Sequence, residues 1–115
     1  MNDMPANERP LSEQFRIIAK RYADADAAAR LLEELKTATL EQMKQGIIAG
    51  DPKLPDSHAE RMVKASPEWR EYVHKMVDAR TDANRLKAQM EYIRMRWNEM
   101  QDVNASRRAE MRMSR

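Results

Sequence analysis

Residues 67–100 read PEWREYVHKMVDARTDANRLKAQMEYIRMRWNEM, and their apolar side chains recur at Trp69, Tyr72, Met76, Ala79, Ala83, Leu86, Met90, Ile93, Trp97 and Met100. The steps alternate three and four, which is the heptad seam of a helix packed along a partner helix. No Gly and no Pro follows Pro67, so no strong breaker interrupts the pattern. Ser66 supplies a capping hydroxyl, and Pro67 fits a first helical turn. The spacing predicts a long helix over 67–111, with a seam that degrades through Asn104, Arg107 and Met111.

A second seam precedes it. Leu11, Phe15, Ile18, Tyr22, Ala25, Ala29 and Leu32 follow the same alternation and predict a helix over 12–48, opened by Pro10 and Ser12. A side stripe of Ile17, Leu31, Leu35, Leu40 and Ile47 runs beside the seam, and Gly46 and Gly50 offer stops. Two prolines, Pro52 and Pro55, mark a connector over 49–56. Ser57 and Glu60 have the spacing of a capping box and open a short helix over 57–65. Residues 1–10, with two Pro and two Asn, read as a flexible tail, and 11–115 as one domain.

Two long helices joined by a short one fold back as an antiparallel hairpin. The expected fold class is therefore all-α, a coiled-coil-like helical hairpin. With Phe15 and Trp69 both at position a, the flanking e positions hold Asp26 and Glu33 on the first long helix. On the second they hold Arg80, Lys87, Arg94 and Arg108. One register sets Glu33 against Lys87 and Asp26 against Arg94, and it is the expected one. A lone hairpin leaves the side stripe, Val73 and Val77 wet, so a homodimer forming a four-helix bundle is expected.

Composition narrows the classes of function. The chain has 115 residues, room for one small domain. It carries 21 Lys and Arg against 19 Asp and Glu, a net charge of +2. Its apolar content leans on Ala and on 10 Met rather than on branched residues, which suits helices with a narrow core. The absence of Cys removes disulfides, thiolate metal sites and a cysteine nucleophile. No apolar run reaches membrane-spanning length, and the N-terminus lacks the pattern of a secretory signal, so a cytoplasmic location is expected.

Little points to catalysis. Glu71 and His74 have the Glu-x-x-His spacing of di-iron bundle helices, but the heptad puts them at the outward positions c and f. Asp56, His58 and Glu60 are close in sequence and read as a capping region with a surface His. No Gly-rich phosphate loop occurs, and no Ser has a base arranged around it. The expectation is a non-enzyme without catalytic residues, metal or cofactor, and no small-molecule substrate is evident. The excess of positive charge gathers instead in Arg107, Arg108, Arg112 and Arg115, where the apolar seam fails. Guanidinium forks match phosphate, so these four are the candidate contacts to nucleic acid or to an acidic protein. The seam residues Phe15, Ile18, Tyr22, Leu32, Trp69, Tyr72, Met76, Leu86, Met90, Ile93, Trp97 and Met100 are the candidate core and oligomer contacts. Tyr92 and Met95 project from the outer face of the long helix.

The stretch 60–72, ERMVKASPEWREY, resembles a segment of small uncharacterised helical proteins of tailed phages and prophages, and residues 104–110, NASRRAE, are similar to theirs too. The likeness covers the C-terminal half. It implies a setting in phage DNA replication or recombination and carries over no catalytic residue. The expected function is a helical accessory protein that binds a protein partner, with DNA contact through its basic C-terminal end. The alternative is an inhibitor of a host protein, or a structural adaptor, without nucleic-acid contact.

Overall fold

The computed structural model describes Pro5 and residues 8–114, and 89% of these are helical, with no strand among them. Among the described residues four helices follow one another: α1 (Leu11–Glu34), α2 (Lys36–Gly50), α3 (Asp56–Lys64) and α4 (Pro67–Met113). The all-α class is as expected, and α4 and α3 agree with their predicted bounds within two residues. The tail proposed for 1–10 lies largely outside the described residues. Contacts divide the chain into two compact units, Asp24–Ala83 on one hand and Met1–Ala23 with Asn84–Arg115 on the other.

In the unit Asp24–Ala83 the core is built from small residues and one indole. Ala29, Ala59 and Ala83 are fully buried, Val63 is nearly so, and Trp69 is 7% exposed. Alanine on the seam lets helices approach closely at little cost in side-chain entropy. Trp69 stacks on Tyr72 with ring centroids 5.6 Å apart. Ser66 caps α4 as predicted: its hydroxyl accepts the Trp69 N–H at 3.2 Å and donates to the Val63 carbonyl at 2.6 Å.

The single helix expected over 12–48 is instead interrupted at Leu35. The Tyr72 hydroxyl donates to the Leu32 carbonyl, the acceptor that an unbroken helix would offer to the Lys36 N–H. Backbone bonds from Leu35 to Leu31 and from Thr39 to Leu35 bracket the break. The expected Ser57 cap is also corrected. Pro55 occupies the N-cap and its carbonyl takes the His58 and Ala59 N–H groups, so Ser57 lies inside α3 and Glu60 pairs with Lys64 at 3.5 Å.

Gly46 does not stop α2 but sits within it, and the chain turns only after Gly50, where the Asp51 N–H bonds back to Ile47 and Ile48. A methyl group at Gly46 would meet no atom within 4 Å. Gly46→Ala is therefore expected to stabilise the protein by about 0.5–1 kcal/mol, read from urea denaturation. A destabilised variant would mean that α2 does not persist in solution.

Charged groups join the helices in a register other than the expected one. Arg80 grips Glu33 through Nε and Nη2 at 2.9 and 2.7 Å and reaches Asp26 through Nη1 at 2.8 Å. Both carboxylates thus find Arg80 rather than Lys87 and Arg94. The difference is one heptad for Glu33 and two for Asp26, and a slip by whole heptads leaves the a and d seam unchanged. The hydrogen bonds from Arg80 hold the Glu33 carboxyl below its ordinary value of 4.5. With the folded value depressed, the pair contributes fully above the unfolded carboxyl value and is lost as pH falls through the folded one. Glu33→Gln is expected to flatten the acid limb of melting temperature against pH. An unchanged acid limb would deny the pair any part in stability.

The second unit pairs α1 with α4 from Asn84 onward. Ile93 is its buried centre at 8% exposure. Phe15, Ile18, Tyr22, Leu86 and Met90 are half-buried around the same seam. The Arg94 guanidinium lies over the Phe15 ring, 5.6 Å from its centroid. Trp97 and Met100, expected in the core, are 45% and 48% exposed. The reason is the observed register: Leu11, the first residue of α1, already lines a groove with Trp97, so α4 continues past the start of α1.

Candidate functional site

Of the four candidate arginines, Arg107, Arg108 and Arg112 lie on the last turns of α4 and are exposed, while Arg115 is outside the described residues. From Arg94 to Ser114 every residue is exposed. Upstream, the seam is covered. Here the same helix carries Met100, Val103, Met111 and Met113 in the open, with exposures of 48%, 51%, 61% and 87%. Arg107 joins Arg96, Glu99, Met100, Val103 and Asn104 along an open groove of about 420 Å³ formed by α4 alone. Arg108 is at position e and Arg112 at position b, so they flank this groove rather than line it. The arrangement presents guanidinium forks beside flexible thioethers, a surface that accepts phosphate or an acidic group together with apolar contact.

The seam residues fall into two sets. Trp69 and Ile93 are buried, whereas Leu32, Tyr72 and Met76 are half-buried in the unit Asp24–Ala83. Trp97 and Met100 form the transition into the exposed stretch. Of the side stripe expected to be wet, Leu31, Leu35 and Val77 are 57%, 45% and 52% exposed, whereas Ile17, Leu40, Ile47 and Val73 are half-buried. Tyr92 and Met95 are exposed on α4 as expected, at 59% and 58%.

Glu71 and His74 are exposed on α4. Asp56 is engaged by Lys44, Glu60 by Lys64, and His58 is exposed, so the three are not gathered around one point. Among the described residues no group of three His, Asp or Glu side chains could hold a metal ion. No described helix is long and apolar enough to cross a membrane.

Two structural ion-pair positions escaped the sequence reading. Lys44 is 4% exposed, with its Nζ donating to Asp56 Oδ2 at 2.8 Å and to Glu41 Oε1 at 3.1 Å. The hydrogen bond it donates to Asp56, with that to Glu41, pushes its pKa up, so it stays charged while joining α2 to the start of α3. The signal was present: Lys44 interrupts the apolar stripe of Leu40, Ile47 and Ile48 on one helix face. Arg80 was placed at a flanking position, but nothing marked it as the residue that would take both carboxylates. Compared with family models, with curated proteins and with solved structures, the chain has no match.

Proposed function

We propose that this chain is a non-enzymatic helical interaction protein, an accessory of phage DNA replication or recombination that works as a homodimer and contacts DNA through the basic end of α4. The observation that carries the reading is the exposed stretch Arg94–Ser114, where Arg107, Arg108 and Arg112 stand beside open apolar side chains. The resemblance of 60–72 and 104–110 to phage helical proteins supplies the setting. The rest of the chain is near-neutral, so the positive excess of the chain lies at this end.

The test is fluorescence anisotropy with labelled single- and double-stranded DNA across a salt series. Binding is expected to weaken linearly on a log–log plot. Arg108→Ala with Arg112→Ala is expected to reduce the slope by about 2 on duplex DNA, since each lost phosphate contact removes about 0.9. Absence of binding at low salt would sink the DNA contact. The second reading, an adaptor or inhibitor acting on a host protein, is favoured by Met111 and Met113, whose flexible side chains suit a protein surface. One stoichiometric, nuclease-insensitive partner from a protein that ignores DNA would select it.

A further inference from the structure

The open end of α4 also carries a pattern that fits a second copy of itself. We propose that two copies pair antiparallel through residues 96–111 of α4, with Arg96 of each opposite Glu110 of the other. This deepens the homodimer part of the reading above and does not depend on nucleic acid.

Three observations carry it. First, α1 covers the α4 seam only as far as Trp97, where Leu11 lines the last shared groove, and beyond it Met100 and Met111 continue the same stripe in the open. Second, this stripe borders a groove formed by α4 alone, with Arg96, Val103 and Arg107 among its walls. Third, the flanking charges are self-complementary. The g positions of this stretch are Arg96, Val103 and Glu110. In an antiparallel pair g faces g, so a two-fold axis at Val103 forms the Arg96–Glu110 pair twice.

The seam layers agree with that axis to within one residue. Trp97 then shares a layer with Arg107 of the second copy, where a guanidinium can lie over the indole, and Met100 with Asn104. Polar residues at a and d positions lower the affinity and fix the register. A parallel pair would set Arg96 against Gln101 and Val103 against Arg108, leaving only Glu110 with a cation, Arg115. The opposite flank of the antiparallel pair gathers Arg94 and Arg108 from both copies. Like charges there weaken the free dimer, and the phosphates of a bound strand would relieve them.

The wet stripe of Leu31, Leu35 and Val77 is the competing surface, the one a four-helix bundle would bury. The α4 end offers, beside its apolar area, the self-complementary Arg96–Glu110 pairing that sets a register.

Sedimentation equilibrium over a concentration series, with helicity followed by circular dichroism, tests the inference. Arg96→Glu and Glu110→Arg are each expected to weaken self-association about tenfold, because two exposed pairs become repulsive. The double variant R96E/E110R is expected to recover the wild-type affinity. The chain has no cysteine, so Met113→Cys takes a single spin label. It lies ten residues from the axis, and the label-to-label distance is expected at about 30–35 Å at 1.5 Å rise per residue. A monomer at every concentration overturns the inference. So does a dimer that ignores both charge reversals, a double variant that fails to recover, or a label distance under about 20 Å as in a parallel pair. Dissociation by Leu35→Glu with Val77→Glu, while the charge reversals have no effect, would move the interface to the side stripe. The salt slope on DNA is read separately, so failure of either proposal leaves the other visible.

Discussion

Trp69→Ala is expected to lower the stability of the protein by about 3–5 kcal/mol. The indole is 7% exposed and is the largest side chain in a core otherwise made of Ala29, Ala59, Val63 and Ala83. Small residues pack helices closely but bury little area each, so one indole supplies a large share of the apolar burial. Its loss also removes the stacking partner of Tyr72, whose hydroxyl reaches the Leu32 carbonyl. A chain of this length has about 6–17 kcal/mol in all, so the variant loses a large part of it. Urea denaturation followed by circular dichroism measures the change. Trp69→Phe is expected to recover much of it by refilling the space with a ring. A loss under about 1 kcal/mol for the alanine variant would show that the indole is not part of a packed core.

What the sequence revealed and what it hid follow from how far each interaction reaches. The seam was legible because heptad spacing is local: Ala29, Trp69, Ala83 and Ile93 were all placed on it and all are buried. The Ser66 cap was legible for the same reason. The register was not, since sliding one helix past another by seven residues preserves every apolar layer and changes only which charges meet. Exposed pairs are too weak to settle that choice by inspection. The break at Leu35 depends on a hydroxyl 40 residues away and leaves no mark in the local sequence. Ser57 misled because its spacing to Glu60 is correct, yet Pro55 already has the extended conformation of an N-cap and starts the helix one residue earlier. At the candidate site the Arg cluster was legible as composition. That Trp97 and Met100 belong to the exposed stretch follows only once the register is known, because it fixes where α1 begins along α4.

Lys44 illustrates a cost that sequence patterns overlook. A lysine in an apolar stripe normally reads as a misplaced surface residue. Here its stem is buried and its ammonium is held by Asp56 and Glu41, so the charge is paired where it leaves the stripe. Its raised folded pKa means that the contribution is complete below the unfolded lysine value and is lost only as pH rises through the folded one. The α2–α3 elbow is therefore insensitive to this lysine across neutral pH.

Ile93→Ala is expected to destabilise the protein by about 2–5 kcal/mol, with Ile93→Val costing about 0.5–1.5 kcal/mol. Ile93 is 8% exposed and stands between two grooves. One is lined by Leu11, Phe15, Arg94 and Trp97, the other by Ile17, Ile18, Tyr92 and Arg96. Truncation joins them, and the neighbours cannot close the gap without moving two helices together. The graded pair of variants separates a packing loss, which scales with the methyl groups removed, from a change of helix register, which does not. The same variants isolate the proposed DNA-contacting surface. Arg108 and Arg112 lie beyond the last residue that α1 covers, so in DNA titrations run well below melting they are expected to keep the proposed phosphate contacts. The salt slope is expected to match wild type in Ile93→Ala and to fall only in the arginine variants. A slope that falls with Ile93→Ala would mean that the packed seam, and not the exposed end of α4, positions the charges that meet DNA.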